Sequence, residues 1–217
     1  MASLSTYNEL RAAVASYLGR DDLDEQIPTF IRMAEKRMDR DLRLRCMERR
    51  ATAQVQAGAK GTSLPCRHVD GDWDVFMEMR DITWRPHEGG GEVVTLEYLP
   101  PDEFQVAGMR TGQPEAYTII GSDLFFMPVP DVCGSLTMAY YAEVPPLSDA
   151  QECNAVLHTA PDLYLYGTLL ESAPYTRGSV PYEMWTQFYT AAKQKLQHNE
   201  DHARYTAGLR MQPTRRI

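Results

Sequence analysis

The chain has 217 residues, 43% of them apolar and 24% charged, with a formal net charge of −8. That is the mixture of a soluble globular protein, long enough to bury a core without a metal or a disulfide. The acidic balance argues against generic nucleic-acid binding, which draws most of its affinity from Lys and Arg against phosphates.

The first helix is announced by Thr6 and, three residues on, Glu9, the spacing at which each side chain satisfies an open backbone amide. Leu10, Val14, Tyr17 and Leu18 recur at helical spacing, and Gly19 supplies a left-handed stop. A second helix is expected to start in the acidic stretch Asp21-Asp22-Leu23-Asp24-Glu25, with Pro28 in its first turn. Its apolar stripe is Ile27, Phe30, Ile31, Ala34, Met38 and Leu42, which predicts a helix of about 20 residues. The other faces carry Arg32, Glu35, Lys36, Arg37, Asp39, Arg40, Asp41, Arg43 and Arg45, with Asp39–Arg43 and Asp41–Arg45 at i,i+4.

From about 48 to 146 short β-prone runs alternate with turn residues. They are Ala51 to Gln56, Trp73 to Met79, Val93 to Tyr98, Ala116 to Ile120, Leu124 to Met127 and Leu136 to Ala142. Tyr117 to Phe126 reads as a hairpin across Gly121-Ser122-Asp123, and Gly89-Gly90-Gly91 as a hairpin tip. This predicts an antiparallel sheet or small sandwich.

Helices return after Pro145-Pro146. Asn154 is placed to cap a short turn, and Thr159 to cap a longer helix with Pro161 in its first turn. That helix carries Leu163, Tyr166, Leu169, Leu170 and Ala173. Ser179 and Pro181 open the last one, whose apolar face is Trp185, Phe188, Tyr189, Ala192 and Leu196. The fold class is therefore α+β: a four-helix bundle built by both chain ends, residues 1–47 and 147–197, around an inserted antiparallel β-sheet or sandwich, residues 48–146. Residues 198–217 lose the helical period and, from Glu200 on, set four arginines against two acids. They are expected to form an extended tail that orders on a partner.

No catalytic signature is present: no P-loop, no G-x-G-x-x-G, no G-x-S-x-G, no H-E-x-x-H. His198 and His202 stand at i,i+4 without a third ligand, and His68, Asp70, Asp72 and Asp74 read as a turn into a strand. No cofactor or metal is expected. Cys46, Cys66, Cys133 and Cys153 form no C-x-x-C pair and suit free thiols in a reducing cytoplasm. No apolar run approaches the roughly 20 residues that cross a bilayer, and Met1-Ala2-Ser3-Leu4 runs toward a helix start instead of a signal peptide. The arginine series Arg37, Arg40, Arg43, Arg45, Arg49 and Arg50 is interrupted by acids and reads as a solvated or subunit-contacting face. The aromatic set Tyr164, Tyr166, Tyr175, Tyr182, Trp185, Phe188 and Tyr189 is mostly core, with enough rings left over to hint at an interface.

Several blocks in order resemble a known family. They are Thr6-Tyr7-Asn8-Glu9-Leu10, Gln26-Ile27-Pro28-Thr29-Phe30-Ile31 with Ala34-Glu35, and Asp39-Arg40-Asp41-Leu42-Arg43. Ala139-Tyr140-Tyr141-Ala142, Val144-Pro145-Pro146-Leu147-Ser148-Asp149 and Pro161 to Tyr175 continue the series. Together they are similar to the head-to-tail adaptors of tailed bacteriophages, close to those of short-tailed phages, the group of tail tubular protein A. The resemblance implies a non-enzymatic virion protein at the head–tail interface, made in the host bacterial cytoplasm. It implies a homo-oligomeric ring, a dodecamer, beneath the portal protein, with a tail nozzle or tube protein below and DNA passing through the channel.

On that reading the portal-docking residues are Arg204, Tyr205, Leu209, Arg210, Arg215, Arg216 and Ile217, assigned by position in the tail. The subunit interface is expected at Arg37, Arg40, Asp41, Arg43 and Arg45, since a ring needs a head-to-tail contact that closes. A summed negative field around a channel would keep DNA mobile. Two alternatives are a DNA-binding packaging or regulatory factor using the Arg-rich second helix, and an enzyme with a site in a cleft.

Overall fold

Thr6 and Glu9 start the first helix as their spacing demands. The Thr6 hydroxyl accepts from the Glu9 amide at 3.3 Å, and the Glu9 carboxylate accepts from the Thr6 amide at 3.2 Å. The computed structural model describes residues 4–69, 72–87, 92–106, 110–176 and 181–204. In it α1 spans Tyr7–Leu18 and Gly19 closes it in the left-handed region at φ 60°. The chain divides into two units, residues 1–46 with 144–217, and residues 47–143.

In the helical unit, α2 runs Ile27–Asp41 and is shorter than its stripe suggested. Asp21–Leu23 form a separate 3-10 turn, because Leu23 is buried at 1% exposure and draws the chain inward before the helix begins. At the other end Leu42 is extended, yet it stays in the core. All six stripe residues are buried. α4 (Ala155–Thr159) is capped by Asn154, whose side chain accepts from the Leu157 amide at 2.9 Å. Thr159 does not cap the next helix. Its hydroxyl donates to the Ala155 carbonyl at 2.8 Å, and α5 (Pro161–Ser172) starts from Ala160 with no side-chain cap.

α5 packs against α1, α2 and α4, and against α6 (Tyr182–Arg204). Leu163, Tyr164, Leu165, Gly167, Thr168, Leu169, Leu170 and Ser172 are all buried. α5 is a central helix covered on most sides, which is why its sequence lacks a polar face. Tyr17, placed in the α1 stripe from sequence, is 56% exposed instead. α6 runs through Arg204, past the point at 198 where the apolar period fades. Residues 198–204 are therefore helical and not extended, and Glu200 there accepts from both the amide and the guanidinium of Arg45.

The other unit is built on strands. One sheet has the order β1 (Glu48–Val55), β9 (Gly134–Ala142), β4 (Asp72–Pro86), β3 (Cys66–Val69), with β5 (Val94–Thr95) also on β4. The second has β2 (Gly61–Ser63), β8 (Asp123–Met127), β7 (Ala116–Ile120), β6 (Glu97–Tyr98). Pairing is antiparallel except between β6 and β7. β7 and β8 form the hairpin expected across Gly121-Ser122. The short strands β2 and β3 and the helix α3 (Pro101–Val106) were not legible in the sequence. Each is too short to show a period, and the two strands exist through their pairing with β8 and β4.

Trp84, Ile82, Leu124, Phe126, Leu136, Met138 and Tyr140 make one apolar cluster. Gly134 sits against it: a Cβ there would fall 2.4 Å from the Trp84 ring, so the indole lies directly on the backbone. Fold class is thus mixed α+β, with six α-helices among the described residues. Among those residues no helix is long and apolar enough to cross a membrane.

Candidate functional site

The charged faces of α2 are where the sequence concentrates its unexplained side chains. Two of them turn inward. Glu35 and Asp39 are 2% and 5% exposed, though the sequence reading put both on solvated faces. They lie one turn apart beside the apolar stripe, and each receives a backbone amide from the segment after β9. Glu35 Oε1 accepts from the Leu147 amide at 2.7 Å, and Asp39 Oδ1 from the Val144 amide at 3.1 Å. The Tyr164 hydroxyl also donates to Glu35 at 3.4 Å and accepts from the Asn154 side-chain amide at 2.6 Å.

Burial pushes the Glu35 carboxyl up to about 7, against the pull of the Leu147 amide and Arg32. Burial likewise raises the Tyr164 hydroxyl well above its ordinary value. An i,i+4 pair of acids flanking a stripe is the signal that could have marked this bond network in the sequence.

The five residues expected at a subunit interface have different fates. Arg37 pairs with Glu171 of α5. Asp41 meets Lys193 of α6 at 3.2 Å and accepts from the Tyr189 hydroxyl at 3.3 Å. Arg45 reaches Glu200 at 3.1 Å. Asp41 and Arg45 are thus not partners of one another, because α6 offers each a better-placed charge. Arg43 donates to the carbonyls of Asp39 and Leu42, closing the last turn of α2. Arg40 is exposed and is the one of the five with no ion pair or hydrogen bond among the described residues.

Arg40 lies instead on a groove of about 250 Å³ lined by Thr29, Arg32, Met33, Lys36, Arg40 and Glu171. Arg32 and Lys36 are held from inside by the buried acids, at 3.3 Å to Glu35 and 3.5 Å to Asp39. Met33 is 46% exposed beside them. Arg32, Met33 and Lys36 carry no distinguishing signal in the sequence, because nothing in the pattern separates them from the arginines that fold inward.

The portal-docking set falls almost wholly outside the described residues. This holds for Tyr205, Leu209, Arg210, Arg215, Arg216 and Ile217, while Arg204 is the last residue of α6. Gly89-Gly90-Gly91, Asp70 and Ser179 also lie outside them. His198 and His202 stand on the exposed side of α6. Among the described residues no three His, Cys, Asp or Glu side chains gather to hold a metal. All four cysteines are exposed and outside any disulfide.

Of the aromatic set, Tyr164, Trp185 and Tyr189 are core, whereas Tyr175, Tyr182 and Phe188 are 52%, 52% and 43% exposed. In the sheet unit, Lys60, Phe104, Gln105, Phe125, Met127 and Val129 contribute to an apolar pocket of about 240 Å³.

The buried acids Glu35 and Asp39 are occupied by the amides of Leu147 and Val144 and by Arg32 and Lys36. No curated protein matches the chain. The family model of the SU10 adaptor protein matches residues 5–212, spanning both units. The chain belongs to the SU10 adaptor protein family, a family of phage head-to-tail adaptors.

Proposed function

We propose that this protein is a non-enzymatic ring subunit that docks under the portal, connects capsid to tail, and forms part of the DNA channel. The observation that carries the reading is the family match across residues 5–212. The exposed rings and cations of the helical unit support it, since aromatic residues, Met and Arg are enriched where proteins meet. The ring would be a dodecamer of this chain, with the portal protein above and a tail nozzle or tube protein below. Its helices α1, α2, α5 and α6 would form the bundle around the channel. At a net charge of −8 per copy, a closed ring sums to a negative field through which DNA slides without sequence-specific binding.

Portal contact is assigned to the C-terminal segment, with Arg204, Tyr205, Leu209, Arg210, Arg215, Arg216 and Ile217 as the contact residues. Because α6 is helical through Arg204 and its Glu200 holds Arg45, the informative truncation starts at residue 205. Purified chain mixed with the portal protein of the same genome should add a ring layer visible by negative stain. The chain lacking 205–217 should not add it. Normal ring addition by the truncated chain would remove the docking assignment. Two separate species with full-length chain and a competent portal would remove the adaptor reading itself.

A further inference from the structure

The groove on α2 carries one cation, Arg40, that has no ion pair or hydrogen bond among the described residues. Arg32, Lys36 and Arg40 recur every four residues and so share one face of the helix. The carboxylate within the groove, Glu171, is engaged by Arg37. Glu35 and Asp39, which hold Arg32 and Lys36, are shared with the backbone amides of Leu147 and Val144. The heads of Arg32 and Lys36 remain 42% and 40% exposed, and Arg40 is exposed as well. With Met33 half-exposed among them, the face joins an apolar contact to a positive rim.

The same unit presents the opposite charge at the other end of the same helix. Leu23 is buried and pins the turn that precedes α2, leaving Asp22, Asp24 and Glu25 outside. Asp22 is taken by Arg20. Asp24 and Glu25 carry no ion pair among the described residues. From Ile27 to Arg40 the helix rises about 20 Å, so the acidic turn cannot reach Arg40 within one copy. Between copies it can, in head-to-tail order, which is the heterologous contact that closes into a ring.

We propose that the Arg32–Lys36–Arg40 groove binds the Asp24-Glu25 turn of a second copy of this chain. The inference rests on the ring reading above and names its subunit contact. It moves that contact from Arg37, Asp41, Arg43 and Arg45, which the fold uses internally, to the outward stripe beside them. Arg40 is common to both sets.

The test is sedimentation velocity of the full chain at low and high salt, with Arg40→Glu and with Asp24→Arg/Glu25→Arg. Self-association is expected at low salt and should weaken as salt screens the pairs. Each variant alone should associate about tenfold more weakly. Mixing the two variants should restore association, since the intact groove of the Asp24→Arg/Glu25→Arg chain then meets the intact acidic turn of the Arg40→Glu chain. That restoration also shows that both variants fold, and unchanged circular dichroism checks it independently. A chain that stays monomeric at low salt overturns this contact. So does association that neither salt nor either variant alters, or two variants that stay apart when mixed. Low-salt retention of DNA that Arg40→Glu abolishes would overturn it too, by giving the groove a different ligand. Portal binding by the full chain is read separately, so this contact can fail while the adaptor role stands.

Discussion

The two units of this protein bury their polar groups differently. Among the described residues the helical unit buries Glu35, Asp39, Asn154, Thr168, Ser172 and Thr176, whereas the sheet unit buries Thr118. A sheet satisfies its backbone through its own ladders, so its core can be almost wholly apolar. The helical unit must also accommodate the irregular segment 144–147, whose amides have no ladder to join. Glu35 and Asp39 answer that need from α2, and Asn154 ties the same neighbourhood by donating to the Pro145 carbonyl at 2.8 Å. A buried carboxylate here stands in for secondary structure, since it accepts amides that no ladder reaches.

The comparison can be broken most forcefully from the sheet side. Trp84→Ala should cost about 3–5 kcal/mol, because the ring is buried at 1% exposure in an apolar cluster. Urea denaturation followed by far-ultraviolet circular dichroism reads it. A loss below 1 kcal/mol would mean the cluster does not organise that unit.

On the helical side the largest handle is pH. Glu35 titrates near 7 in the fold, above its ordinary value of 4.5. Its protonated form is therefore the one folding favours. The stabilisation is complete below the unfolded value and is lost as pH rises through about 7. Urea midpoints should fall between pH 5 and pH 8, by a contribution on the order of 3 kcal/mol at most. Glu35→Gln should flatten that slope, and an unchanged slope would place the titration elsewhere.

Asp39→Ala leaves the buried Val144 amide without an acceptor and should cost about 1–3 kcal/mol. Asp39→Asn, which keeps an oxygen for that amide, should lose less, and equal losses from both would show that the amide bond is not what matters. Thr118→Val sharpens the contrast at the small end. The Thr118 hydroxyl is buried without a hydrogen-bond partner among the described residues, so stability should hold within about 1 kcal/mol or rise. A clear loss would reveal a polar requirement in the sheet core.

Much of the architecture could be read from local pattern. The α1 cap, the α2 stripe, the Asn154 cap and the β7–β8 hairpin each depend on residues within a few positions of one another. The short strands β2 and β3 could not be read that way. Nor could the helical course of α6 beyond 198, where fading apolar spacing says nothing of Glu200 reaching back to Arg45.

The candidate site divides along the same line. Sequence by itself determined that α2 is amphipathic, densely charged and free of catalytic spacing, since side-chain type and helical period suffice for that. Only the tertiary structure decided which charges turn inward. Arg37, Asp41 and Arg45 found partners on α5 and α6, Glu35 and Asp39 found amides of 144–147, and Arg32, Lys36 and Arg40 were left on the groove. A charge one helical turn from another is visible in the chain, but a partner more than a hundred residues away is supplied only by packing.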